Sequence, residues 1–171
     1  MEDHTAVALS RKGDTEAFRV LVERYGPVLQ GTAYLMTKDA AIAEELTQDA
    51  LLSAWRGIGG FLEDRPIKPW LVRIVVNRVL EHQRRSKLLT MPLDDAPELR
   101  SADRVAEEVE ARDAVSRGLA LLDEGHRQVL MLRYFAELTT QEIAESLGCP
   151  EGTVKSRLHR ATAELRAIIG E

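Results

Sequence analysis

The sequence predicts an all-α chain made of two small helical domains joined by an acidic linker. Three observations lead there. The apolar residues are mostly Ala, Leu and Val, aromatics are only 5%, and the apolar positions recur at i, i+3, i+4 and i+7 instead of alternating. Gly, Pro and Asp punctuate these periodic segments where helices start and stop. Charge is unevenly spread along the 171 residues, a length that allows one domain or two small ones. Residues 1–87 carry 13 basic and 12 acidic groups, residues 88–113 carry 3 and 8, and residues 114–171 carry 7 and 8. The middle segment, with Pro92 and Asp94-Asp95-Ala96-Pro97, therefore accounts for the net charge of −5 and reads as a linker. The expected division is a first domain over 1–87, a linker over 88–112 and a second domain over 113–171.

In the first half, Asp14 is a plausible N-cap for a helix over about 15–36, striped by Phe18, Leu21, Val22, Tyr25, Val28 and Leu29. Gly26-Pro27 should kink or divide it. Asp39 can cap a second helix reaching about Arg56, which Gly57-Ile-Gly-Gly60 ends. Residues 61–66 form a short loop. A third helix over about 68–85 has Trp70, Leu71, Ile74, Val75 and Leu80 as apolar positions. Over 65–87 the chain carries Arg65, Lys68, Arg73, Arg78, Arg84, Arg85 and Lys87 against Glu81 alone. The second half reads as helices over about 103–122, 124–136, 140–147 and 151–168, with Gly125 and Gly148 at breaks.

Composition excludes several classes. One cysteine, Cys149, rules out an internal disulfide framework and a Cys-based zinc site, and His4, His82, His126 and His159 form no ligand-spaced pair. No cofactor or metal is expected. No apolar run approaches a membrane span, and the acidic N-terminus precedes no apolar segment, so a cytoplasmic location is expected. No nucleophile–base order or Gly-rich phosphate loop points to an enzyme.

The strongest motif is a helix-turn-helix over 139–166. Ala144 is small where two helices approach, Gly148 sits at the turn, and Pro150 stops the first helix just before the second. Val154, Leu158, Ala161 and Leu165 face inward on the second helix. Thr153, Lys155, Ser156, Arg157, His159 and Arg160 are left exposed, side chains suited to phosphates and base edges in a major groove.

Two stretches, in this order, carry a family resemblance. Glu44-Glu-Leu-Thr-Gln-Asp-Ala-Leu-Leu-Ser-Ala-Trp55, followed by Pro66-Ile-Lys-Pro-Trp-Leu-Val-Arg-Ile-Val-Val-Asn-Arg-Val-Leu-Glu-His-Gln-Arg-Arg85, resembles region 2 of the bacterial extracytoplasmic-function sigma factors. Gly-Cys-Pro-Glu-Gly-Thr-Val-Lys-Ser-Arg-Leu-His-Arg-Ala, residues 148–161, resembles their region 4. The resemblance covers about residues 10–168. It implies a subunit that directs core RNA polymerase to promoters, with partners in the beta-prime clamp and beta subunits, promoter DNA and an anti-sigma factor, often membrane-anchored. It implies that Glu45, Leu46, Gln48 and Asp49 dock on the clamp helices. Here the acids exchange lengths relative to the commoner family pattern while keeping their charge. It implies that Asn77 helps hold a base flipped from the minus-ten element, in a pocket walled by the loop from Phe61 to Arg65. Arg78, Arg84 and Arg85 would hold phosphates. Trp70 matches an aromatic near the melting wedge, and a core role for it fits equally well. Thr153, Lys155, Ser156, Arg157, His159 and Arg160 match the face that reads the minus-thirty-five element. A stand-alone helix-turn-helix repressor is the runner-up, but it would leave the basic, Asn-bearing segment at 65–87 without a role.

Overall fold

The computed structural model describes residues 1–89 and 109–170, and among them every regular element is helical. The linker's Pro92, Asp94, Asp95 and Pro97, and the expected helix start near 103, lie outside the described residues. Helix α1 spans Asp3–Ser10, α2 Thr15–Thr37, α3 Ala40–Gly57 and α4 Ile67–Leu89. A 3-10 turn, Ile58–Gly60, follows α3. In the second half, α5 spans Val109–Leu121, α6 Glu124–Leu130, α7 Thr140–Leu147 and α8 Glu151–Ile169, with a π turn at Met131–Phe135 after α6. The linker's expected edges are therefore helical: α4 continues to Leu89 and α5 begins at Val109.

The caps fall largely where the sequence places them. Asp14 accepts from the backbone N–H groups of Glu16 and Ala17, and Asp39 from those of Ala41 and Ile42, at 2.9–3.1 Å. Three expectations need correction. Helix α2 runs undivided through Gly26-Pro27, because Leu21 before the proline and Leu29, Ala33 and Met36 after it are all buried, fixing both parts against one core. Gly125 is not at a break: it lies in the first turn of α6, which Asp123 caps by accepting from the His126 N–H at 2.9 Å. Helix α1 was not expected at all. It is too short to show a periodic stripe, yet Ala6, Val7 and Ser10 are buried in the first bundle.

Helices α1 to α4 form one bundle, and α5 to α8 pack around α8 as a second. The two meet where α4 lies against α7 and the π turn against α2, and one buried cluster runs from Leu21, Leu29 and Val76 through to Leu132, Ile143 and Val154. Lys68 Nζ lies 2.8 Å from Glu137 Oε2, Lys87 Nζ 3.4 Å from Glu124 Oε2, and Arg73 Nη1 3.9 Å from Glu145 Oε2. The Phe135 ring fills the notch at Gly31, where a Cβ would overlap it. Gly31→Ala should therefore displace the ring and loosen the contact between the bundles, while α2 gains about 1 kcal/mol of helix propensity. Small-angle scattering should show a larger radius of gyration, and an unchanged radius would refute the notch as a clasp.

Candidate nucleic-acid and partner surfaces

The register of α3, set by its Asp39 cap, turns Ala43, Leu46, Thr47, Ala50 and Ala54 inward. Glu45, Gln48 and Asp49 remain exposed on the opposite face. Leu46, one of the four expected docking residues, is only 8% exposed and belongs to the core. Its helical position decides this, since an apolar side chain at i+3 from Ala43 shares its buried face. Leu52 was missed and is 54% exposed, at i+7 from Glu45 on the outward side. The surface is thus an acidic stripe with an apolar end. Its signal in the sequence was a leucine outside the inward stripe. Ser53 Oγ donates to the Asp49 carbonyl at 2.9 Å and accepts from Arg78 Nη2 at 2.6 Å, which ties α3 to α4.

On α4, Val72, Val75, Val76 and Val79 are fully buried, so Arg73, Asn77 and Arg84 point outward. Asn77 is exposed and has no side-chain hydrogen bond among the described residues, leaving its amide free to donate and accept. Arg78 and Arg85 reach Glu81, at 3.4 and 2.6 Å, and Arg84 Nε donates to its own helix at the Leu80 carbonyl. Phe61 is 6% exposed and packs on Trp70 with ring centroids 5.1 Å apart. It therefore forms a floor under the loop. The burial follows from its place directly after the 3-10 turn, where its N–H donates to the Ile58 carbonyl. Arg65 is exposed and borders a cleft of about 530 Å³ shared by Phe61, Trp70 and Arg73 on one side and Glu142 and Glu145 of α7 on the other.

The helix-turn-helix has the expected build. Thr139 and Glu142 form a reciprocal capping box at the start of α7. Gly148 ends it at φ 65°, a left-handed conformation that favours glycine, and the Cys149 N–H donates to the Ala144 carbonyl. Ile143 and Val154 are fully buried between the two helices. On α8, Lys155, Ser156, His159 and Arg160 are exposed, whereas Thr153 and Arg157 are half-buried. Lys155 Nζ lies 3.1 Å from Glu151 Oε1. The Thr140 hydroxyl, donating to Glu151 at 2.6 Å, and then Lys155 hold that carboxyl below its usual range. Although no histidine pair has ligand spacing in the sequence, folding places His126 Nδ1 2.9 Å from Asp123 and 2.8 Å from Glu164, tying α6 to α8.

A sigma-70 region 2 model matches residues 21–88, and a sigma-70 region 4 model matches residues 118–167. The ECF RNA polymerase sigma factor SigM of Mycobacterium tuberculosis is 38% identical over 98% of this chain and 85% of its own length. The RNA polymerase sigma-H factor of Pseudomonas aeruginosa is 31% identical over 94% of this chain and 90% of its own. Among solved structures, CnrH in complex with the cytosolic domain of CnrY superposes with a TM-score of 0.71 at 29% identity, covering 98% of this chain and 97% of that one. The sigma factor RpoE of Bartonella quintana, solved with the anti-sigma factor NepR, shares the fold with a TM-score of 0.74 at 22% identity, covering 90% and 96%.

Proposed function

Because the chain belongs to the extracytoplasmic-function sigma factors, we propose that its two bundles divide a promoter between them while α3 holds core RNA polymerase. It directs promoter-specific transcription initiation and supplies no catalytic group of its own. The polymerase core does the chemistry, in the cytoplasm. Glu45, Gln48, Asp49 and Leu52 form the docking stripe, an acidic face suited to a basic partner surface. An anti-sigma partner belongs to the same proposal, since CnrH was solved with the cytosolic domain of CnrY and RpoE with the anti-sigma factor NepR.

The observation that carries this reading is the outward, unengaged amide of Asn77, on a helix that also exposes Arg73, Arg84 and Arg85. A flipped base needs a donor and acceptors for its edge, and the neighbouring strand needs cations for its phosphates. Arg84, and Arg78 and Arg85 once released from Glu81, supply the cations. Exposed ion pairs of this kind are worth at most about 1 kcal/mol, so the exchange for phosphate costs little. On α8, Lys155, Ser156, His159 and Arg160 line the face offered to the minus-thirty-five duplex, with Thr153 and Arg157 at its edge.

Reading both elements requires the bundles to part. The elements lie about 25 base pairs apart, roughly 85 Å of duplex. A compact chain of this length is only about 40 Å across. The 19 residues 90–108 can reach at most about 65 Å, which together with the two bundles spans the interval.

Asn77→Ala should lower open-complex formation about 5- to 150-fold, the loss of one good base contact of 1–3 kcal/mol, and leave closed-complex binding unchanged. Pre-melted templates should restore most of the rate. A closed-complex defect of equal size, or no rescue on pre-melted DNA, would remove Asn77 from the base-holding role.

A further inference from the structure

Helix α1 lies before residue 21, where the region 2 match begins, so the family resemblance gives it no role. Its position suggests one. The loop that carries Arg65 is pinned at its ends by Ile58, Phe61 and Ile67, all buried, but Leu62 to Pro66 are exposed. One side-chain hydrogen bond reaches that exposed tip among the described residues: Arg11 Nη1 donates to Glu63 Oε1. The same guanidinium donates from Nε to the Gly59 carbonyl at 3.4 Å, inside the 3-10 turn that leads into the loop. Arg11 is itself held at the end of α1, where its N–H donates to the Val7 carbonyl.

The helix behind Arg11 is anchored at both ends. Ala6, Val7 and Ser10 are buried, the Asp3 carboxylate accepts from Arg24 and the Tyr25 hydroxyl, and Arg24 Nη2 donates to the Met1 carbonyl at 2.7 Å. Burial, and then Asp3, push the Tyr25 hydroxyl up to about 12. Between α1 and the loop lies a cleft of about 480 Å³, to which Asp3, Val7, Phe61, Glu63 and Arg65 all contribute.

We infer that Arg11 is a positioning residue for minus-ten recognition: by fastening Glu63 and Gly59 to α1, it sets the loop before DNA arrives, so that the base-facing side chains need not be ordered on binding. The inference rests on the reading of the 61–66 loop as a wall of the flipped-base pocket. A loop held in its bound form avoids an ordering cost on capture, and that saving is greatest for the base that fits best. Side chains 35% and 49% exposed contribute little to global stability, so the brace acts on loop geometry and not on the fold.

The test uses holoenzyme assembled from core polymerase and the full chain, transcribing a promoter library randomised across the minus-ten element. Arg11→Ala and Glu63→Ala should each compress the preference at the captured base about fivefold, the scale of one ion pair with a supporting hydrogen bond. Melting temperature and core affinity should stay at their wild-type values. The charge-exchanged pair Arg11→Glu with Glu63→Arg should recover part of the preference, because the ion pair returns while the bond to the Gly59 carbonyl does not. An unchanged preference, a uniform fall in output on every promoter, or no recovery in the exchanged pair would each overturn the brace. Asn77→Ala on the same library separates the two readings. If it alters the preference while Arg11→Ala does not, only the brace fails. If it leaves the preference intact, the pocket reading itself fails.

Discussion

Lys155→Ala combined with Arg160→Ala should abolish transcription that depends on a minus-thirty-five element and leave core binding at its wild-type level. Each side chain is exposed on the outer face of α8, the face proposed to meet the duplex. Losing a base or phosphate contact costs about 1–3 kcal/mol, so the pair should cost about 2–6 kcal/mol, a fall of roughly 30- to 25,000-fold in promoter affinity. The salt dependence of binding should flatten by about one unit for each phosphate contact removed. The fold should survive, because Glu151 keeps its 2.6 Å bond from Thr140 when Lys155 is gone. Run-off transcription on matched promoters, with and without the minus-thirty-five element, measures the effect, and a binding titration with core polymerase is the control. A parallel loss of core affinity would show that α8 serves the polymerase and not the promoter.

Ile143→Ala should unfold the second bundle ahead of the first. Ile143 is fully buried against Val154 at the heart of the helix-turn-helix. Truncating a buried isoleucine to alanine costs about 2–5 kcal/mol through lost transfer energy and the cavity left behind. A unit of about 60 residues has only about 3–9 kcal/mol in total. The second bundle's transition should therefore fall by more than about 10 °C in scanning calorimetry, and hydrogen exchange should rise in α7 and α8 first. Core binding through α3 should persist above that transition while minus-thirty-five dependence is lost. A single transition at the wild-type temperature would show that the shared interface, and not the local core, sets the stability of this bundle.

The net charge of −5 looks unsuited to nucleic acid until its distribution is considered. The excess lies in 88–113, while α4 exposes Arg73, Arg84, Arg85 and Lys87 and α8 exposes Lys155, Arg160 and Arg166. A subunit that meets DNA inside a larger complex needs local cations and not a basic total, and an acidic total weakens non-specific binding by the free chain.

Much of this was legible in the sequence because it rests on local rules. Asp14 and Asp39 start helices through contacts within four residues, and Gly148 ends one through its own backbone freedom. The outward setting of Asn77, Lys155 and Arg160 follows from helical periodicity alone. Where neighbouring elements compete for a residue, the sequence reading was less complete. Phe61 looks like a contact residue in a one-dimensional motif, and packing turns its ring inward onto Trp70. Leu52 looks like one more apolar residue, and packing leaves it outside. Helix α1 has too few apolar positions to show a period, and it exists because the first bundle buries Ala6 and Val7.

The sequence by itself determined the helices other than α1, the caps at Asp14 and Asp39, the turn of the helix-turn-helix and the family, because each is written in spacings shorter than a few turns of helix. The tertiary structure alone decided which motif residues are free to meet a partner. It alone showed that Phe135 seats at Gly31, that Lys68 and Lys87 pair with carboxylates of the other bundle, and that Arg11 reaches a loop some fifty residues away. These contacts join residues far apart in the chain, and no local preference encodes them. They follow from which faces remain to be covered once the helices have formed.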